Sequence, residues 1–167
     1  MKKLKPLHLS VLFMIVLPFL AGCPIGLEYP LAKEGADPLS SALLGTWNSG
    51  SEDTEVKRVA FSKGPTANTY KVEVLEKGSS YAVEDTEFTA WMTKVGGRDF
   101  LILKPENSDL FFHYCIEIGQ KQIKTWDLTL LIGGVDAVTS TEALRKEAEE
   151  SLKNPDFFKE GLYWEKE

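Results

Sequence analysis

Seven short segments between residues 43 and 132 have the length and alternation of β-strands, and they constrain the fold more than any other feature of this chain. Tyr70, Val72 and Val74, for example, alternate with charged residues, and connections rich in Gly, Asn, Asp and Ser separate the segments. Gly96-Gly97 is the sharpest turn, because a two-residue type I′ hairpin needs positive φ at both positions. The segments span residues 43–48, 55–63, 69–76, 86–95, 98–104, 110–118 and 123–132.

A helix and an eighth strand complete the predicted fold. Residues 140–153 carry a narrow apolar stripe, and Thr139 with Glu142 gives the capping-box pattern of a helix start. Residues 100–103 are apolar on both faces, so the helix is expected to cover the outer side of that strand. Residues 162–165 read as a last strand beside the first. We predict a mainly β fold, an antiparallel meander of about eight strands closing into a barrel, with one C-terminal helix packed outside.

Gly45-Thr46-Trp47 stands at the opening of the first predicted strand. This tripeptide resembles the G-x-W motif that begins lipocalin-type barrels, in which the tryptophan plugs one end of the barrel. The last predicted strand has no arginine to pack on Trp47, and Lys166 is the nearest equivalent. The order of elements also resembles that of bacterial lipoproteins with small barrels and a late helix. The resemblance implies a lipocalin-like barrel domain over residues 42–167.

The first 22 residues are expected to be a signal peptide. Lys2, Lys3 and Lys5 give a positive start, and residues 7–20 give an apolar core of the length found in secretory signals. A membrane-spanning helix needs roughly 20 apolar residues, whereas this run is shorter and is broken by Pro18. We therefore assign residues 1–22 to export and exclude them from the fold.

The apolar core ends in Leu20-Ala21-Gly22-Cys23, which resembles the lipobox of bacterial lipoproteins. That resemblance implies diacylglyceryl transfer to the Cys23 thiol, cleavage before Cys23 and acylation of the freed amine. Two or three acyl chains make the attachment stable, at about 0.8 kcal/mol per buried methylene. The expected location is the cell envelope, most simply the outer membrane facing the periplasm, and Pro24 after the cysteine leaves the inner membrane as the alternative.

The chain that follows the signal peptide is acidic. Loss of three of the 19 basic residues leaves 16 against 25 acidic residues, a net charge of −9. Nucleic acid is therefore not an expected partner, because binding to phosphates depends on Lys and Arg. After removal of residues 1–22, Cys115 is the only cysteine besides Cys23, and His113 is the only histidine. Neither an internal disulfide nor a structural zinc site is therefore expected. We expect no cofactor and no bound metal.

Residues 24–41 have the composition of a linker. They contain three prolines and two glycines and show no sustained hydrophobic period. We predict a lipidated flexible tether over residues 23–41, which could hold the domain about 60 Å from the bilayer at roughly 3.3 Å per residue. Folded structure is expected to begin near Ala42, as a single domain.

Six aromatic residues fall on strand faces that are predicted to point into the barrel. They are Phe61, Tyr70, Phe88, Phe112, Tyr114 and Trp126. The interior of an eight-stranded barrel is either filled by side chains or holds one small ligand. Large rings favour a filled core, and a small apolar cavity is the alternative. In that second case these six residues are the candidate ligand-binding side chains.

His113, Cys115 and Glu117 alternate onto one face of the sixth predicted strand. Same-face neighbours stand about 7 Å apart, which is too far for direct hydrogen bonding. A thiol nucleophile also needs an electropositive setting, and Glu117 works against it. We interpret this face as an outer or helix-covered surface with Cys115 as an inert filler, and thiol catalysis by His113 and Cys115 is the alternative.

Two acidic clusters precede strands, at residues 52–55 and 84–87, and neither has the spacing of an EF-hand loop. The sequence contains no phosphate loop, G-x-S-x-G elbow or H-E-x-x-H motif, so an enzyme is not the expected class. The predicted function is a membrane-anchored, non-enzymatic binding module for a small apolar or lipid-like ligand. The alternatives are an envelope interaction or structural lipoprotein with a filled core, and a hydrolase or thiol enzyme built on His113 and Cys115.

Overall fold

The computed structural model describes residues 25–51, 54–79, 81 and 85–167, and the predicted signal peptide and Cys23 lie outside these residues. The described chain forms a closed barrel of eight antiparallel strands in sequence order, as the alternation predicted. The helix α1 (Thr141–Ser151) lies between the seventh and eighth strands. The strands are β1 (Gly45–Ser49), β2 (Val56–Lys63), β3 (Tyr70–Lys77), β4 (Glu87–Val95), β5 (Arg98–Pro105), β6 (Phe112–Ile118), β7 (Gln122–Asp127) and β8 (Leu162–Lys166).

Strand β1 closes the barrel, because it pairs with β2 on one side and with β8 on the other. Trp47 stands opposite Val59 in β2 and opposite Lys166 in β8. The tight link between β4 and β5 uses Gly96 and Gly97, whose φ angles of 56° and 79° are the positive values that a type I′ turn needs. The predicted meander and its sharpest turn are therefore both confirmed.

Helix α1 starts with a different cap from the one predicted. Ser140 is the N-cap, and its Oγ accepts a hydrogen bond of 3.1 Å from the N–H of Ala143. The third helical residue is then Ala143, so the capping box of Thr139 with Glu142 is wrong. Threonine and serine stand side by side here and both cap helices, which is why the pattern alone did not separate them.

Two apolar layers share the barrel wall. The inner layer fills part of the barrel, and the outer layer covers β4 to β7, with Leu144 and Ala148 of α1 packed on it. In β5, Leu101 belongs to the inner layer, while Phe100 and Ile102 belong to the outer one. All three are at most 3% exposed. The cover predicted for the outer side of residues 100–103 is present.

The first part of an N-terminal strap, residues 25–43, also lies on the outer layer, and its last part packs on the inner layer through Leu39 and Leu43. Leu27 and Phe111 exchange two backbone hydrogen bonds of 2.9 and 2.8 Å, and Leu31 is fully buried. Further along, the indole N–H of Trp91 donates to the carbonyl oxygen of Ala32 at 3.0 Å. Irregular backbone thus follows the wall and buries apolar side chains without forming a strand.

The guanidinium of Arg145 fastens the strap between α1 and β4. It donates one hydrogen bond to the carbonyl oxygen of Leu31 at 2.9 Å and a second to that of Lys94 at 2.8 Å. Packed structure is therefore already present at residue 25, ahead of the start predicted near Ala42, and residues 25–41 are docked where a flexible tether was predicted for residues 23–41. Proline and glycine content correctly indicated irregular backbone, but it does not report whether such backbone packs.

Candidate ligand-binding cavity

The inner layer leaves an apolar cavity of about 160 Å³ that opens at one end of the barrel. This end, here called the mouth, is where the β1–β2, β3–β4, β5–β6 and β7–β8 connections lie. Most of the wall is aliphatic or aromatic, and it includes Val72, Leu101 and Leu103. The barrel interior is therefore partly filled by side chains and partly hollow. It combines the two alternatives left open by the sequence, a filled core and a small apolar cavity.

The opposite end of the barrel is closed by the last turn of the strap, Ser41–Leu43, and by Trp47. The indole N–H of Trp47 donates to the carbonyl oxygen of Leu43 at 2.8 Å. The Tyr70 hydroxyl donates to the carbonyl oxygen of Ser40 at 3.0 Å and accepts from the N–H of the same residue at 2.7 Å. Trp47 therefore sits at one end of the barrel, the place that the G-x-W resemblance implied for it.

The volume of the cavity limits what could occupy it. A cavity of about 150 Å³ lined by apolar side chains stays dry and takes up benzene in an engineered protein. The present cavity, at about 160 Å³, has room for one ring or for a short alkyl segment. A complete phospholipid could not be enclosed, and only the end of one acyl chain would fit.

Four of the six aromatic candidates line the cavity, namely Phe61, Phe88, Phe112 and Tyr114. Tyr70 belongs to the inner layer but is used at the closed end. Trp126 lies in the outer layer, so its predicted inward position is wrong. Its ring packs edge-on against Phe158 at 5.3 Å between centroids, and its N–H donates to the Phe158 carbonyl oxygen at 3.2 Å.

The error at Trp126 comes from strand β7, which carries apolar residues on both faces. Alternation predicts an inward direction for Trp126, but Trp126 and Leu128 both pack in the outer layer. The inward face contains Ile123, Thr125 and Asp127. Ile123 is paired with the inner-layer residue Ile118 across the β6–β7 turn, so counting alternate residues from that turn would have identified the inward set.

Polar side chains are confined to one region of the lining, near the mouth. They are Glu55, Tyr81, Tyr114, Thr125 and Asp127. The Thr125 hydroxyl oxygen accepts a hydrogen bond of 3.1 Å from the indole N–H of Trp164. In the sequence, Glu55 belongs to an acidic cluster before a strand, and no motif singles out Asp127. Their positions depend on how the β1–β2 and β7–β8 connections meet at the rim, which local sequence patterns do not reveal.

The environment of the two carboxylates favours their neutral forms. Burial, and to a smaller extent the negative charge of Glu55, together raise the pKa of Asp127 from 3.8 to about 6. Burial also raises the pKa of Glu55. Within the described part of the chain, neither side chain takes part in an ion pair or a side-chain hydrogen bond. The mouth thus holds two acids without a fixed counter-charge.

His113 and Cys115 lie on the other side of the wall, away from the cavity. Cys115 is 1% exposed in the outer layer, and burial raises the pKa of its thiol to about 11. His113 is 3% exposed, burial lowers its pKa to about 3, and its ring nitrogens have no hydrogen-bond partner in the described residues. A protonated thiol beside an uncharged imidazole in a sealed layer lacks the access and the charge that thiol catalysis requires.

Of the acidic residues in the two clusters, only Glu55, Asp85 and Glu87 are described by the structure. Glu52, Asp53 and Glu84 lie outside the described residues. In the part of the chain that is described, no three His, Cys, Asp or Glu side chains come together as metal ligands. Asp85 instead accepts a hydrogen bond of 2.9 Å from the Asn107 amide.

Comparisons with protein-family models, with curated proteins and with solved structures give no match for this chain. Among the described residues, no helix has the length and apolar character needed to cross a bilayer. The cavity and its lining are therefore the observations from which a function can be argued.

Proposed function

We propose that this chain is a lipid-anchored protein of the bacterial cell envelope whose barrel binds one small apolar ligand. The observation that carries the proposal is the apolar cavity of about 160 Å³, which is closed at the Trp47 end and open at the mouth. Buried apolar surface of this kind contributes roughly 25 cal/mol per Å² that a ligand removes from water. The lipobox resemblance at Cys23 supplies the anchor.

The course of the strap supports an anchored carrier. Ile25 packs on the outer layer, and Leu27 pairs with Phe111 in the β5–β6 connection, which is at the mouth end. Cys23 is two peptide units before Ile25, a span of at most about 8 Å. Acyl chains on Cys23 would therefore keep the mouth side of the barrel close to the bilayer, where an apolar ligand could pass between the membrane and the cavity.

The binding proposal is tested with an apolar fluorescent dye and with native mass spectrometry of the purified protein. Leu103→Trp places a larger side chain in the cavity wall and should reduce dye binding at least tenfold. Leu75→Trp makes the same change at a residue that is half-exposed on β3 and does not line the cavity, so binding should be unchanged. Equal binding by both variants, or no binding by the unmodified protein, would contradict the carrier proposal.

The anchor is tested separately, by mass spectrometry of the N-terminal peptide from cells. We expect a diacylated or triacylated Cys23 and its loss in Cys23→Ser. The distance of each end of the barrel from the bilayer is then compared in vesicles that contain a quencher lipid. A fluorophore is placed at Glu106→Cys, near the mouth, or at Lys121→Cys, at the closed end. Stronger quenching at position 121 would overturn the proposed orientation.

A further inference from the structure

The charge of the cavity lining narrows the class of ligand. Its only acidic residues are Glu55 and Asp127, and it contains no Lys, Arg or His among the described residues. A fatty acid or another apolar anion would bring a further negative charge towards these two carboxylates. Placing like charges close together in a partly buried site costs free energy. The site is therefore poorly suited to an anionic ligand.

The position of Asp127 indicates where a positively charged group of a ligand would bind. It is the last residue of β7, shares the inward face with Ile123 and Thr125, and stands opposite Tyr114 of β6 in the register. Among the described residues, the titratable groups of the lining beside it are Glu55 from the β1–β2 connection, Tyr81 from the β3–β4 connection and Tyr114, and β8 contributes Leu162 and Trp164. The ammonium of Lys77 lies 4.7 Å from the centroid of the Tyr81 ring but is not part of the lining. A ligand cation at the mouth would therefore meet two carboxylates and no positive side chain of the described lining.

We propose that the cavity selects a small organic cation, with an apolar ring or short alkyl chain in the barrel and an ammonium group beside Asp127 and Glu55 at the mouth. This inference rests on the proposed ligand-binding function and adds the charge of the ligand to it. An ammonium group there would form charge-assisted hydrogen bonds with two carboxylates that have no ion-pair or side-chain hydrogen-bond partner among the described residues. Neutral ligands of the same size would fill the same space without this gain.

The test uses three probes with the same ring: benzylamine, benzyl alcohol and benzoate. The protein used for the test is the chain from residue 23 onward with Cys23→Ser. Every buried contact described above lies between residues 25 and 167 and is therefore retained in it. Calorimetry or ligand-observed NMR at pH 7.5 should show benzylamine binding at least about tenfold more tightly than benzyl alcohol, with benzoate the weakest. At pH 5 the preference for the amine should fall by about tenfold, because Asp127, whose pKa is about 6, is then mostly neutral.

Asp127→Asn keeps the shape of the side chain and removes its charge, so it should abolish the preference for the amine and leave binding of the alcohol intact. Glu55→Gln should reduce the preference by a smaller factor, because Glu55 is less buried. Glu117→Gln, on the exposed outer face of β6, is the matched control and should leave the preference unchanged.

The outcomes separate this inference from the proposal beneath it. Equal affinity for amine and alcohol, or tighter binding of benzoate, would overturn the cation preference while leaving a ligand-binding barrel. Retention of the amine preference in Asp127→Asn would likewise overturn it. Failure of all three probes to bind would count against the cavity as a ligand site altogether.

Discussion

Lys166 places its ammonium nitrogen 5.1 Å from the centroid of the Trp47 ring and donates a hydrogen bond of 3.0 Å to the carbonyl oxygen of Ala42. One side chain from the last strand thereby joins the first strand and the turn that closes the barrel. The lysine takes the place of the arginine that is absent from the last predicted strand. The closed end is therefore held by the first and last strands of the barrel.

Lys166→Met should lower the free energy of unfolding by about 1 to 2 kcal/mol, the sum of a partly exposed cation–π contact and a hydrogen bond to a charged donor. Lys166→Arg should retain most of this stability, since a guanidinium can make both contacts. Urea denaturation gives the values, with Lys57→Met on the exposed side of β2 as the control. A loss no greater than in the control would show that the contact does not stabilise the closed end.

His113 should make the protein less stable in acid. Its pKa is about 3 in the folded state against 6.5 in the unfolded chain, so the unfolded state binds the proton first as the pH falls. Stability attributable to this residue is complete above pH 6.5 and is lost as the pH falls towards 3. Between pH 7 and pH 5 the loss is about 2 kcal/mol, at 1.36 kcal/mol per pKa unit.

The comparison that isolates this effect is wild type against His113→Phe, because Asp127 titrates in the same range. Phenylalanine fills a similar volume and has no nitrogen to leave unpaired in the outer layer. The variant should gain stability relative to wild type as the pH is lowered from 7 to 5. A constant difference across that range would mean that His113 is solvated or paired.

Asp127 should act in the opposite direction. Its pKa of about 6 in the folded state exceeds the value of 3.8 in the unfolded chain, so its contribution is fully present below pH 3.8 and is lost as the pH rises through 6. Asp127→Asn removes the buried charge and should be the more stable protein at pH 7.5. That advantage should shrink by about 2 kcal/mol on going to pH 4, as thermal or urea unfolding of both proteins would measure. A pH-independent difference would contradict the assigned burial.

The strap should be an integral part of the fold. Leu31 is fully buried, so Leu31→Ala should cost about 2 to 5 kcal/mol, the range for truncating a buried leucine. Lys33→Ala, two residues later and exposed, should change stability by less than about 0.5 kcal/mol. Equal effects of the two changes in urea denaturation would indicate that the strap is not docked.

Much of the barrel could be predicted from alternation alone, and the failures have physical causes. Tyr70 and Val72 alternate with charged residues, so their inward direction was unambiguous. Trp126 lies in a strand that is buried on both faces, where hydrophobicity no longer distinguishes inside from outside. The docking of Leu31 and the inward position of Asp127 depend on contacts with residues far away in the sequence. Both positions are revealed only by the assembled barrel, and that of Asp127 bears on what the cavity can bind.

The order in which the barrel can assemble follows from its closure. Strand β1 needs β8, and Leu31 is held by Arg145, which lies 114 residues further along the chain. Pairings between such distant segments form slowly, because the loop that they close is long. A nascent chain that lacks its last quarter contains neither β8, which closes the barrel, nor Arg145, which holds Leu31. Closure of the barrel and docking of Leu31 are therefore expected late in folding, after Arg145 and β8 have been synthesised.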